Sequence, residues 1–163
     1  MRSGRPGVRV LFVGNGFTAA YAMPAMVREL AAAAPGASAI FAVLYWRGGS
    51  TLAQAARDSR LVDLLAHERW DYVVLQEQSQ IPARPDVREA QMLPAAAKLD
   101  GLAESAGAQT VLFETWGREH GDSGAVPGDT YAAMQTRLDE GYLEASAMLE
   151  ASVAPVGRAW ATA

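Results

Sequence analysis

The sequence predicts an α/β fold, a three-layer α/β/α sandwich with about five parallel strands in a single domain over residues 1–163. Three observations support it. Five short β-rich runs alternate with helical patterns, which is typical of a parallel sheet covered by helices. The runs are nearly continuously apolar, as expected for strands buried on both faces. A chain of 163 residues, half of them hydrophobic, is long enough for one well-formed core.

The predicted strands are short and carry β-branched or aromatic residues. In chain order they cover residues 8–13, 39–45, 72–76, 110–114 and 153–156. Strands of this length, separated by helical segments, favour right-handed crossovers between parallel neighbours. The longest irregular piece, residues 116–129, follows the fourth strand and is predicted to be a loop.

Helical spacing of apolar residues fills the intervals between the strands. The first helix is predicted from Met23, Met26, Val27, Leu30 and Ala34, the second from Leu52, Ala55, Val62 and Leu65, and the last from Met134, Leu138, Tyr142, Ala145 and Leu149. Residues 86–106 are also predicted to be helical. Pro94 should kink or restart that helix, because proline lacks an amide hydrogen and clashes with the preceding turn.

Composition excludes several classes of function. The formal charge of −4 and pI of about 5.2 lack the basic surface that nucleic acids require. The absence of cysteine excludes disulfides and thiolate chemistry, and it favours a cytoplasmic protein. Two isolated histidines predict no metal site, and no apolar run approaches the roughly 18 residues of a membrane span. We expect no cofactor.

A glycine turn, Gly14-Asn15-Gly16, follows the first predicted strand and leads into the first helix, for which we expect Thr18 to be the N-cap. Open parallel sheets bind ligands outside the carboxyl ends of their strands, where the amides of the next helix point outward. The turn therefore predicts a binding edge.

The same turn allows a second interpretation. The spacing of Gly14, Gly16 and Ala19 satisfies a relaxed dinucleotide fingerprint. The acid expected near the end of the second strand is absent, although Arg47 there suits a 2′-phosphate. A nucleotide-binding module thus stays an alternative, and so does a non-catalytic domain that binds an acyl group or a sugar.

Five sequence blocks, taken in order, resemble a branch of the SGNH (GDSL-like) hydrolase superfamily. They are VLFVGNGFT, RGGSTL, WDYVVLQEQSQ, AGAQTVLFETW and VAPVGRAW, and they span nearly the whole chain. The resemblance implies a flavodoxin-like sandwich that cleaves esters or removes acyl groups without a metal. It implies a small-molecule ester or an acylated carbohydrate as the partner.

The family's parts carry over to individual positions. Its serine nucleophile stands where this chain has Gly16, and its oxyanion-binding amide matches Gly49. A side-chain amide donor is implied at Gln78, with Gln80 as second choice; if the third strand continues, period-two alternation also places Gln76 on the same side. Such donors stabilise the negative charge that develops during ester hydrolysis.

The family's final Asp-x-x-His pair, which supplies the general base, occurs nowhere in the sequence. The resemblance therefore implies an inactive or severely impaired hydrolase. A truncated chain with a Ser-to-Gly change, a degenerate relative that keeps the pocket, and a partner that supplies the missing segment all fit this pattern. His120 and Asp122, after the fourth strand, lie at the correct edge for a substitute base.

Aromatic and polar residues near the strand ends are candidates for substrate binding. Trp46 and Trp116 follow the second and fourth strands, where they can wall a sugar or acyl pocket by stacking. Asn15, between the two glycines of the turn, is assigned to the same pocket. Glu77 and Glu114 are acids inside strand-like runs, so their burial would be costly unless each has a partner.

Overall fold

The computed structural model describes residues 7–162. Its strands are β1 (Val8–Gly14), β2 (Ile40–Trp46), β3 (Tyr72–Leu75), β4 (Gln109–Phe113) and β5 (Ser152–Ala154). They form one parallel sheet in the order β2-β1-β3-β4-β5. The prediction of five parallel strands is confirmed, and of the predicted domain only residues 1–6 and 163 lie outside the described residues.

Helices connect successive strands. They are α1 (Gly16–Ala19), α2 (Met23–Ala33), α3 (Leu52–Ala55), α4 (Ser59–His67), α5 (Pro85–Val87), α6 (Leu93–Ser105), α7 (Tyr131–Leu149) and α8 (Val156–Trp160). A 3₁₀ turn at Ala20–Ala22 joins α1 to α2, and a π-helical segment at Arg88–Met92 precedes α6. Within residues 7–162, no helix combines the length and the apolarity that crossing a bilayer demands.

The helices cover both faces of the sheet, which confirms the three-layer sandwich. Alternate residues of β1 point to opposite faces. Leu11 and Val13 join the larger core with α3, α4, α6 and α7. Val10 and Phe12 join a smaller core, against which α2 and α8 pack. The sequence of β1 thus serves two cores at once, as a central strand of a parallel sheet must.

The helix predicted over residues 86–106 changes from π-helical to α-helical geometry directly before Pro94, the position where the sequence predicts a break. The amide of Leu93 donates to the carbonyl of Arg88, five residues earlier, and α6 begins there with Pro94 in its first turn. Proline cannot donate a backbone hydrogen bond, so a regular α-helical ladder cannot run through this position. The restart is confirmed.

The first helix differs from its prediction. Tyr21 and Ala22 adopt left-handed backbone conformations, with φ of 52° and 53°, and they separate α1 from α2. Met23 and Val27 pack toward the sheet, but Met26 and Leu30 of the predicted apolar stripe are 51% and 69% exposed. Because α2 covers the edge of the sheet beside β2, only one side of that stripe is buried.

Two further predictions on this side of the fold were wrong. The predicted second helix is two helices, because the Asp58 carboxylate accepts a hydrogen bond from the Arg60 amide and caps a new helix, α4. The second strand is not buried on both faces. β2 lies at the edge of the sheet, where Phe41 and Val43 are exposed. Neither strand order nor the extent of helical cover is encoded in a local apolar run.

Two fully buried acids tie helices to the carboxyl ends of strands. The Glu77 carboxylate, just after β3, accepts hydrogen bonds from the amides of Leu52 (3.0 Å) and Gln78 (2.6 Å). Glu114, just after β4, accepts from the amide of Arg158 at 2.9 Å and pairs with its guanidinium at 3.2 Å. Burial raises the pKa of Glu77 to about 7 and also raises that of Glu114.

The pKa of Glu77 predicts a specific pH dependence of stability. The carboxyl loses its proton near pH 4.5 in the unfolded chain and only near pH 7 in the folded one. Between these values the folded state binds more protons, so the free energy of unfolding falls as the pH rises. Across this window, the free energy of unfolding of the wild type should fall by up to about 3 kcal/mol relative to that of Glu77→Gln. Urea denaturation measures both.

Glu104→Gln, at an exposed position on α6, is the matched control and should follow the wild-type curve at every pH. The prediction is wrong if the Glu77→Gln curve also runs parallel to wild type between pH 4.5 and 7.

Candidate functional site

The ends of three adjacent strands meet at a depression of about 200 Å³ on the carboxyl edge of the sheet. It is lined by Asn15, Gly16, Phe17, Gly49, Gln78 and Ser79. These residues come from the turn after β1, the loop after β2 and the segment after β3. The structure therefore brings together four residues that the sequence analysis assigned to one site: Asn15, Gly16, Gly49 and Gln78.

Asn15 organises the turn after β1. Its side-chain oxygen accepts a hydrogen bond from the Phe17 amide at 3.1 Å, and its Nδ2 donates to the Ser50 carbonyl at 3.0 Å. Asn15, and not Thr18, is thus the N-cap of α1. The Thr18 hydroxyl instead donates to Oε1 of Gln76 at 2.8 Å, because Thr18 faces the sheet. Asn15 is itself buried, and both ends of its amide serve the turn.

The two glycines of the turn, Gly14 and Gly16, differ in whether packing requires a glycine. A Cβ on Gly14 would lie 2.4 Å from the Thr18 hydroxyl and 2.6 Å from Oε1 of Gln76, so packing requires glycine there. A Cβ on Gly16 would have no atom within 4 Å, and the Gly16 backbone lies outside the left-handed region. The Gly14 of the dinucleotide-like spacing is therefore explained by packing alone, and the helix that follows is only four residues long.

Gly49 lies in a turn in which the Ser50 amide donates to the Arg47 carbonyl at 3.1 Å. Gly49 has a φ of +65°, a backbone conformation that residues with a Cβ rarely adopt. Within residues 7–162, the Gly49 amide donates to no other group. A free amide on the wall of the depression suits an oxygen atom of a ligand.

The three glutamines do not share one side, because β3 ends at Leu75 and its alternation stops. Oε1 of Gln76 lies under the first turn, where it accepts from the Asn15 amide at 3.0 Å. Gln78 lines the depression, and its Nε2 has only long contacts, 3.4 Å to Gln80 and 3.5 Å to Ser79. Nε2 of Gln80 donates to Asp122 at 2.6 Å, away from the lining.

The hydroxyl groups around the depression are engaged with other groups. The Ser50 hydroxyl donates to the Gly14 carbonyl at 3.3 Å. The Ser79 hydroxyl, in the lining itself, accepts from the Arg118 guanidinium at 2.8 Å. Neither residue is placed on the turn after β1. The described residues around the depression therefore present no free hydroxyl at Gly16.

The suggested substitute bases lie elsewhere. The Asp122 carboxylate is buried and pairs with Arg84 at 2.5 Å, and this hydrogen bond lowers the pKa of Asp122 below its usual range. Oδ2 accepts from Nε of Arg84, and Oδ1 accepts both from a second guanidinium nitrogen of Arg84 and from Nε2 of Gln80. The carboxylate therefore joins the loop after β4 to the segment after β3. The His120 side chain is 83% exposed and has Glu119 as its neighbour, at 4.0 Å.

Aromatic rings extend from one side of the depression. Phe17 stacks on Trp116 with ring centroids 4.6 Å apart, and Trp116 stacks on Trp160 at 5.2 Å. Trp116 therefore lies beside the depression, in contact with Phe17 of its lining. Trp46, 53% exposed at the end of β2, is not in the lining. Sequence analysis did not single out Trp160, which is the last residue of α8, the helix that follows β5.

Other regions of the described chain offer weaker candidates. No group of three or more His, Cys, Asp or Glu side chains in residues 7–162 is arranged to hold a metal ion. A larger cavity of about 580 Å³ lies between α3 and α6, but none of the predicted site residues lines it. The converging residues at the carboxyl edge, and not cavity size, identify the candidate site.

Neither a protein-family model nor a curated protein matches this chain. Solved structures do. A protein from Slackia heliotrinireducens, described as an SGNH hydrolase, is 31% identical, with a TM-score of 0.81 over 97% of this chain and 84% of that one.

More distant structures share the fold. A psychrotrophic esterase from Pseudoalteromonas is 18% identical with a TM-score of 0.63, covering 89% of this chain and 75% of the esterase. A variant of an acetyl-xylooligosaccharide esterase from Geobacillus is 17% identical with a TM-score of 0.59, over 94% and 77% of the two chains. The sheet order, the converging strand ends and the 31% identity over nearly the full length agree, and the chain belongs to the SGNH hydrolase superfamily.

Proposed function

We propose that this protein binds a small acyl ester at the depression between Gly16, Gly49 and Gln78, and that it hydrolyses that ester poorly because Gly16 supplies no attacking hydroxyl. The single observation that carries the proposal is the convergence of these three residues on one lining of about 200 Å³. They are far apart in sequence, and each stands at the end of a different strand or its following loop.

The donors around the depression fit an ester carbonyl. The Gly49 amide has no partner in the described part of the chain, and Nε2 of Gln78 has only long contacts. When a carbonyl is attacked, negative charge develops on its oxygen, and preorganised N–H groups stabilise that charge. Removal of one such donor typically costs about 3 kcal/mol of transition-state stabilisation.

The sequence has neither a hydroxyl at position 16, to act as the nucleophile, nor an Asp-x-x-His pair, to act as the general base. A hydrogen atom at Gly16 cannot form an acyl-enzyme, so donors and binding alone leave only a small residual rate enhancement. The packing supports this interpretation, because the space where a Cβ of residue 16 would project is empty to 4 Å. A side chain there would meet no obstacle.

The substrate class that we propose is an acylated carbohydrate. One structural neighbour acts, by its description, on acetylated xylooligosaccharides. Exposed aromatic rings of this chain stand beside the depression, and such rings suit the apolar faces of sugars. The acyl group would occupy the depression and the sugar would lie outside it.

The first test restores the hydroxyl. With imidazole added as an external base, Gly16→Ser should hydrolyse p-nitrophenyl acetate about tenfold or more faster than wild type under the same conditions. The serine would attack the carbonyl carbon as imidazole takes its proton, p-nitrophenolate would leave, and water would then hydrolyse the acyl-serine. Release of p-nitrophenolate is followed by absorbance.

Gly16→Ala is the matched control, because it adds the same Cβ in the same empty space without a hydroxyl. It should remain at the wild-type rate. If folded Gly16→Ser is no faster than Gly16→Ala at any imidazole concentration, the depression is not an ester-cleaving site.

A second test removes a donor. In the Gly16→Ser background, Gln78→Ala should remove most of the imidazole-dependent gain over Gly16→Ala, mainly in kcat, because the amide acts on charge present only in the transition state. Gln91→Ala, at an exposed glutamine on the π-helical segment, should leave the rate unchanged. Equal rates for the two variants would contradict the role of Gln78.

A further inference from the structure

A second cavity, of about 450 Å³, adjoins the depression on the side of the aromatic rings. It is lined by Trp116, Gly117, Arg118, Glu119, Tyr131 and Trp160. The first four lie in the loop after β4, Tyr131 begins α7, and Trp160 ends α8. None of these residues except Trp116 was assigned to a site from the sequence. The lining of this cavity shares no residue with the lining of the depression.

Two contacts join this cavity to the depression. Phe17, in the lining of the depression, stacks on Trp116, in the lining of the cavity, with an interplanar angle of 15°. Arg118 of the cavity donates to the Ser79 hydroxyl of the depression at 2.8 Å. The depression and the cavity are thus neighbours, joined by one apolar and one polar contact.

The chemistry of the lining selects a class of ligand. Trp116 and Trp160 stack on each other at 5.2 Å, which leaves no slot between them for a planar base. Trp160 is 58% exposed and offers ring surface to a ligand. Arg118 and Glu119 bring opposite charges to the rim, so the lining has no net preference for an anion or a cation. An exposed ring beside polar groups suits a neutral polyhydroxylated molecule, whose C–H face covers the ring.

We infer that the cavity lined by Trp160, Trp116 and Tyr131 is the subsite for the sugar of an acylated carbohydrate, with Trp160 as its stacking platform. This inference rests on the proposed function, because the ester carried by that sugar enters the adjoining depression. Trp160 is a specificity-determining residue in this arrangement and takes no part in the chemical step.

The test uses methyl 6-O-acetyl-β-D-glucopyranoside as the probe, titrated into ¹⁵N-labelled protein while the four tryptophan indole N–H signals are followed. The signals of Trp116 and Trp160 should shift and that of Trp46 should not. Trp160→Ala should weaken binding about five- to tenfold, and Trp160→Phe should restore most of the affinity.

Trp46→Ala is the matched control, since Trp46 is similarly exposed, at 53%, but lies at the end of β2 outside both linings. It should bind the probe as wild type does. Equal loss in both tryptophan variants, or no shift at Trp160, overturns the subsite.

The two proposals fail separately. If Gly16→Ser hydrolyses p-nitrophenyl acetate while the glucoside leaves Trp160 unshifted, the ester site stands and the sugar subsite is wrong. If the glucoside binds through Trp160 while Gly16→Ser gains no activity with imidazole, the subsite stands and the ester-cleaving proposal is wrong.

Discussion

The candidate site depends on one buried contact beneath the first turn. Oε1 of Gln76 accepts hydrogen bonds from the Asn15 amide at 3.0 Å and from the Thr18 hydroxyl at 2.8 Å. The contact joins the end of β3 to the turn after β1, and it has room only because Gly14 has no side chain. Buried polar groups need partners, so neither strand end can move without leaving an orphaned donor or acceptor. These contacts fix the position of Gly16 in the lining of the depression.

Further buried polar contacts join the elements around the edge of the sheet. Asn15 joins the turn to the loop after β2 through the Ser50 carbonyl. Glu77 joins the end of β3 to the start of α3, and Asp122 holds the loop after β4 through Arg84 and Gln80. Most polar side chains near the site thus hold the scaffold. The groups left to meet a ligand are few, chiefly the Gly49 amide and Nε2 of Gln78.

This division bears on Gly16, the position at which we propose that a nucleophile is lacking. Packing requires glycine at position 14, but it does not require glycine at position 16. The sequence has no hydroxyl at position 16, and it also contains no Asp-x-x-His pair. Under the proposed function, a glycine at position 16 prevents attack on the ester, while the Gly49 amide and Nε2 of Gln78 remain as donors to its carbonyl oxygen.

The sequence by itself determined the order and type of the elements, because apolar periodicity and proline positions act locally. It also located the edge with the site, since the glycine turn and the residues after the third strand must meet where parallel strands end. It misassigned Thr18 as a cap and predicted a stripe on α2 that is half exposed. It placed three glutamines on one side only if the third strand continued, and that strand ends at Leu75.

Only the tertiary structure decided which glutamine faces the depression, which glycine is required and which tryptophans meet. These outcomes depend on contacts between residues distant in sequence, such as the 61 positions between Asn15 and Gln76. The point at which a strand ends, and what packs beneath a turn, follow from neighbours that a local pattern does not contain. The meeting of Phe17, Trp116 and Trp160 has the same origin, because the sheet brings the ends of β1, β4 and β5 to one edge.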